Sequence, residues 1–148
     1  MTDDERQIIA QAIEILDRRL REPGLKMTGS ETVKQFLRLS LEPDEREVFA
    51  VMFLDNKNTL IGFEKLFLGT INRVEVHPRV IAQRALQLNA AALILAHNHP
   101  SGDPLLSRSD YQLTKDIQKV MRLLNIVVLD HLVIGSHGIF SLAEKGLM

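Results

Sequence analysis

Cysteine is absent from the 148-residue chain. That excludes a disulfide framework and a thiolate metal site, so any metal must be held by His, Asp, Glu or water. Tryptophan is absent as well, and Tyr111 is the lone tyrosine, which argues against a stacking platform for bases. Neither sign of charge is in excess. The formal net charge of -1 gives no global attraction to nucleic acid or to an anionic membrane. No apolar run reaches the roughly 20 residues of a membrane span, and no membrane association is expected. The acidic start, MTDDERQ, does not read as a signal peptide, and the expected compartment is the cytoplasm. What remains is a chain with 45% hydrophobic and 25% charged residues, the balance of a soluble globular domain. Its length suits one domain that buries a core without staples.

Residues 4–22 read as an amphipathic helix, with Ile8, Ile9, Ala12, Ile13, Ile15, Leu16 and Leu20 near a 3.6 period and Pro23-Gly24 as its stop. Arg18, Arg19 and Arg21 are interrupted by Glu14, Asp17 and Glu22 and read as a solvated face rather than a nucleic-acid patch. A second helix runs from Ser30, as N-cap, to about Leu41. Val48 to Leu54 is a buried strand, Asp55-Asn56-Lys57-Asn58 a turn, and Thr59 to Leu68 the returning strand. His77-Pro78-Arg79 opens a helix with proline at its first position. Ala90 to Ala96 is continuously apolar, the pattern of a strand buried on both faces. A loop, HNHPSGDPLLSRSD, leads into a helix from about Arg108 to Leu124. Two short strands are expected at 126–129 and 132–134, split by Asp130-His131, with a last strand at 139–141 after the turn at 136–138. The sum is one α/β domain: residues 1–42 as a helical extension and 43–148 as a mixed core.

The chemistry concentrates in His97, His99, Ser107 and Asp110, spaced H-x-H-x7-S-x2-D. Residues two apart on a strand point to the same side, so two imidazoles leaving a strand can converge on one ion. Pro100 and Gly102 let the chain turn, and the next helix can carry Asp110 back to both rings. Three such ligands leave a fourth tetrahedral position for water, the arrangement of a catalytic zinc site. Zinc lowers the pKa of bound water from about 16 to about 7. A carboxylate that is not a ligand is then needed to move the proton. A hydroxyl near the developing oxyanion helps as well, and Ser107 is placed to supply it. The blander reading of Ser107 and Asp110 is a capping box, Ser at the cap and the acid three residues on. Both can hold at once, because a capped helix start also fixes the direction of the carboxylate.

HNHPSGDPLLSRSD is similar to the JAMM motif of the MPN+/JAB metallohydrolases. From about Glu45 to Met148 the chain resembles the bacterial RadC family, whose characteristic segments match GTINRVEVHPRVIAQRALQLNAAALILAHNHPSGDP, LDHLVIG and SLAEKGL in order. The resemblance implies a JAB-type α/β sandwich on a mixed, curved sheet with helices on both sides. It implies one zinc per chain on His97, His99 and Asp110, with Ser107 assisting, and hydrolysis of an amide or isopeptide bond in a protein or peptide substrate. It also implies a Glu base at the start of the first core strand. Glu47 fits that position, Glu64 in the returning strand is the runner-up, and Glu45 is a third candidate that reads better as part of the charged loop. Family members often have proline at the position of Leu106, a change expected to alter loop stiffness alone. Full-length RadC-type proteins begin with a helix-hairpin-helix region associated with DNA. Residues 1–42 contain no pair of short helices joined by a Gly-rich hairpin. The chain looks instead like the short RadC-like proteins of mobile and prophage-type regions. The alternative to a hydrolase is a DNA-repair or mobile-element-associated binding module, and a homodimer is left open.

The other polar candidates receive structural expectations. His77 belongs to a helix N-terminus and His137 to an exposed turn. Asn98 points away from the two histidines and pins the loop, and Asp103, before Pro104, is a turn residue. His131 is either a core-edge histidine paired with Asp130, the favoured reading, or a partner standing behind a metal ligand.

Overall fold

The computed structural model describes residues 1–70 and 74–148. Ile71, Asn72 and Arg73, part of the family-like stretch beginning GTINRV, lie outside the described residues. Among the described residues, four helices and five strands follow one another as α1 (Asp3–Leu20), α2 (Glu31–Leu41), β1 (Val48–Leu54), β2 (Leu60–Leu68), α3 (Pro78–Gln87), β3 (Ala92–Asn98), α4 (Arg108–Leu123), β4 (Val127–Gly135) and β5 (Gly138–Ser141). The sheet order is β2-β1-β3-β4-β5. β3 and β4 run parallel, joined through α4, and every other neighbouring pair is antiparallel.

Helix starts follow local chemistry. Ser30 Oγ accepts from Val33 N and caps α2, as its residue type predicts. Pro78 opens α3, where a missing N–H costs nothing. The sheet is apolar on both faces because both are covered. Val48, Ala50, Met52 and Leu54 of β1 join Ile94 and Ala96 of β3 and Leu132 and Ile134 of β4 in a core with Leu16, Leu20, Val33, Phe36, Leu37 and Leu41 of α1 and α2. Phe49, Val51 and Phe53 turn the other way, with Leu93 and Leu95, onto Ile81 and Ala85 of α3 and Ile117 and Met121 of α4. The fold is thus an α/β layer of mixed sheet between two helix pairs.

Two expected boundaries move. The strand read at 90–96 runs from Ala92 to Asn98, so His97 is a strand residue. The two short strands read at 126–129 and 132–134 are one strand, β4. Asp130 and His131 do not break it, because both are buried with partners. Asp130 accepts from Ser141 Oγ at 2.6 Å, Ala143 N at 3.0 Å and His131 N at 2.7 Å. A polar pair whose hydrogen bonds are satisfied can sit in a central strand at little cost.

β4 also carries one irregularity. Leu93 pairs with Val128, but the next residue, Ile94, pairs with Asp130. Leu129 is therefore an extra residue on the β4 side, a bulge. Val128 faces α3 and α4, while Leu132 and Ile134 face α1 and α2. His131, opposite Leu95, is returned to the α4 face.

Candidate metal centre

Strand parity assembles the site. Phe49 of β1 lies directly opposite His97 of β3. Glu47 and His99 are one alternation further along each strand, on the same α4-facing side. The ladder reaches His99 because its N–H donates to the Ile134 carbonyl at 2.8 Å. Glu47 is fixed from both sides by its backbone. Its N–H donates to the Thr70 carbonyl and its carbonyl accepts from Gly69 N, each at 2.7 Å. Asn98, pointing to the other face, accepts from Val48 N at 2.6 Å and donates to the carbonyls of Asp44 and Arg46. The end of β3 and the entry to β1 are thereby stitched together. The loop between His99 and α4 folds back through Gly102, whose φ of +92° suits glycine. Gly102 packs so closely on Gly135 at the end of β4 that a side chain at either would meet the other segment.

α4 completes the group. Ser107 and Asp110 form the capping box: Ser107 Oγ accepts from Asp110 N at 3.0 Å, and Asp110 Oδ2 accepts from Ser107 N at 3.2 Å. The same Oδ2 stands 3.3 Å from His97 Nε2 and 3.4 Å from His99 Nε2. The two Nε2 atoms lie 2.9 Å apart, and Glu47 Oε1 is 3.8 Å from His99 Nε2. Glu47, His97 and His99 each offer a ligand atom within 4.8 Å of the others, with Asp110 against both rings. The Nδ1 atoms face outward, His97 to His131 Nε2 at 2.8 Å and His99 to the Asp103 carbonyl at 2.9 Å. Each ring therefore spends its outer nitrogen on a protein partner and turns its inner one to the centre, the usual pose of metal-binding histidine. The donor set fits a divalent cation that takes nitrogen and oxygen ligands. Two ring nitrogens this close beside two carboxylates call for positive charge between them.

The electrostatics agree. Burial pushes Asp110 up, but the two imidazoles facing its Oδ2, with Ser107, outweigh it and hold the carboxyl well below its usual range. His99 is raised, first by its hydrogen bond to Asp110, against burial, with the Asp103 carbonyl, Asp110 and Glu47 adding. Glu47 is also raised: burial is the largest influence, the two histidines oppose it and Asp110 adds to it. The residues floor an open cleft of about 690 Å³, walled by Phe49, Val74, Val76 and Leu113, with Ser107 and Ser109 at its rim.

Comparison with known proteins adds kinship to this geometry. Residues 27–147 match the RadC-like JAB domain. The chain belongs to that family. It is 51% identical over its whole length to the UPF0758 protein YkfG of Escherichia coli K12, covering 94% of that protein. It is 47% identical to YeeS of the same strain, with each chain fully covered. It is 49% identical over 93% of its length to PM1152 of Pasteurella multocida, of which it spans 63%.

Within this RadC-like JAB chain the remaining candidates separate cleanly. Glu64 faces the same side as Val51, but Arg84 of α3 holds its carboxylate at 2.7 Å. It does not line the cleft. Glu45 is exposed. His137 is exposed in its turn. His77 caps α3 by position alone, with no side-chain cap bond. Asp103 shapes the turn by accepting from Leu105 N. The favoured reading of His131, a core-edge histidine paired with Asp130, holds for the backbone alone: Asp130 accepts from its N–H, while its ring bonds His97 and Thr114. Sequence reasoning missed Thr114, whose one signal was its place a helical turn after Asp110. It also missed Ser109, whose hydroxyl meets that of Ser107 at 3.1 Å.

Proposed function

We propose that this protein is a zinc-dependent hydrolase of amide or isopeptide bonds in a protein or peptide substrate. The observation that carries the proposal is the convergence of two imidazole nitrogens and two carboxylates on the floor of an open cleft. The amide class rests on kinship with JAB domains. His97, His99 and Asp110 are assigned to hold the ion, since Asp110 Oδ2 approaches both rings while Glu47 stands off at 3.8 Å from His99. When bound, zinc there supplies a polarised carbonyl and a water acidified to a pKa of about 7. Glu47 would act as the base, holding at its carboxylate the proton of the attacking water and returning it to the departing amine. Burial raises its pKa against the pull of the two histidines, the direction that helps a carboxylate hold a proton in transit. Ser107 donates its hydroxyl to the substrate oxygen as negative charge develops. Its Oγ is already oriented by accepting from Asp110 N. Phe49 and Leu113 keep water from the buried side of the centre.

Elemental analysis of untagged protein, beside Glu47→Gln and Asp110→Asn, tests the assignment. Wild type and Glu47→Gln should carry near-stoichiometric zinc, and Asp110→Asn should lose it. Glu47→Gln should cut peptide or isopeptide hydrolysis by roughly 100-fold or more. A wild type that stays metal-free after zinc is added overturns the reading in favour of a binding module.

A further inference from the structure

Behind the proposed ligands runs a buried chain of hydrogen bonds. Thr114 Oγ1, in the second turn of α4, lies 2.8 Å from the backbone carbonyl of Asp110 and 2.6 Å from His131 Nδ1. His131 Nε2 lies 2.8 Å from His97 Nδ1. All three side chains are shielded: Thr114 and His131 are fully buried and His97 is 1% exposed. Among the described residues no buried side-chain nitrogen or oxygen lacks a partner, so no gap in the chain is left for water to fill.

A hydroxyl has one proton, and a carbonyl can only accept. The contact to Asp110 O is therefore a bond in which Thr114 donates. With its proton spent, Oγ1 is an acceptor toward His131, which must then carry its proton on Nδ1. The ring is fully buried between Thr114 and His97, and burial opposes a second proton on it. His131 Nε2 is thus a bare lone pair and accepts from His97 Nδ1–H. A neutral His97 with its proton on Nδ1 has a bare Nε2, the atom facing Asp110 and His99.

We infer that Thr114 and His131 are positioning residues that lock the His97 tautomer and so present its Nε2 lone pair to a metal ion, with the proton order set by the Asp110 backbone carbonyl. Asp110 then stands at both ends of one ring: its carboxylate faces Nε2, and its carbonyl orders Nδ1 through Thr114 and His131. Phe49 supports the arrangement by stacking on the His97 ring at 6.1 Å with an interplanar angle of 11° and meeting His131 edge-on at 5.5 Å. The inference rests on the metal-centre reading for its purpose, but the proton order exists in the metal-free protein and can be read there.

The test is nitrogen NMR on the 15N-histidine-labelled full chain, metal-free and with zinc chloride, for wild type, Thr114→Val and Thr114→Ser. Thr114→Val keeps the shape and removes the hydroxyl, whereas Thr114→Ser keeps the hydroxyl. In metal-free wild type, His97 should show a protonated Nδ1 and an unprotonated Nε2, and His131 the same order. Thr114→Val should give His97 a mixture of tautomers and weaken zinc binding about tenfold, and Thr114→Ser should restore both. His97 protonated on Nε2 in metal-free wild type overturns the inference. So does a Thr114→Val protein with unchanged tautomer and zinc affinity. If wild type binds no zinc yet shows the stated proton order, the relay stands and the hydrolase reading fails. The two failures are therefore told apart.

Discussion

His99 meets the centre with Nδ1 against the Asp103 carbonyl and Nε2 facing Asp110 and Glu47. Its pKa is raised, chiefly by the Asp110 hydrogen bond, so in the metal-free protein it keeps a proton where a free imidazole, at about 6.5, has begun to lose it. A metal ion must displace that proton. Calorimetric zinc titrations in buffers of differing ionisation enthalpy should therefore show proton release near neutral pH, and the release should fade as pH rises through the elevated His99 pKa. The same shift has a sign for folding. The stability this proton gives the metal-free protein is fully present below the unfolded value and is lost as pH rises through the folded one. Metal-free protein should therefore show a melting temperature that declines on the alkaline side more steeply than that of the His99→Gln variant. At this scale the sequence was readable where spacing is local: His97, His99, Ser107 and Asp110 sit within one strand exit, one turn and one helix start. His131 was not readable. Counting in twos from Val128 puts it on the face away from His97, and the extra Leu129 that reverses this leaves no mark in residue type.

α4 shows an element serving two ends with one motif. Ser107 caps the helix and Asp110 answers it, while the same carboxylate oxygen faces two imidazoles. The blander and the sharper readings of S-x2-D are thus both consistent with one geometry. They separate by substitution. Ser107→Ala should cost about 1 kcal/mol of stability through the lost cap, measured by urea unfolding. Ser107→Asn should recover most of that, because asparagine also caps, without recovering hydrolysis if the hydroxyl meets the substrate. Recovery of both would leave Ser107 with a capping role alone. The capped start was legible because Ser and Asp at this spacing form a local hydrogen-bonded unit. β4 was misread as two pieces for the opposite reason: the partners that make Asp130 acceptable inside a strand, Ser141 and Ala143, come from a later segment.

Across the whole molecule the sheet separates two cores. One joins α1 and α2 to β1, β3 and β4, and the other joins the opposite face to α3 and α4, where the centre lies. Leu37 is fully buried in the first. Leu37→Ala should lower unfolding free energy by about 2–5 kcal/mol in urea titrations. The folded protein should still bind zinc in the wild-type ratio, because the cavity opens on the far face. An α/β domain was legible from alternating helical and strand periods, and β3 from its continuous apolar run. The order β2-β1-β3-β4-β5 was not, since pairing β1 with β3 depends on residues about fifty positions apart, as Phe49 and His97 show.

Because β4 carries one residue more than β3 between Val128 and Asp130, the strand holds one residue of slack there. A changed side chain at Leu129 leaves every later residue on its own face. Loss of that position would close the bulge and keep Asp130 opposite Ile94 and His131 opposite Leu95, whereas loss of a residue beyond His131 would turn the remainder to the opposite face. This strand can drift in its letters over many generations and can even lose that one codon, yet a codon missing after His131 would exchange the two faces of all that follows.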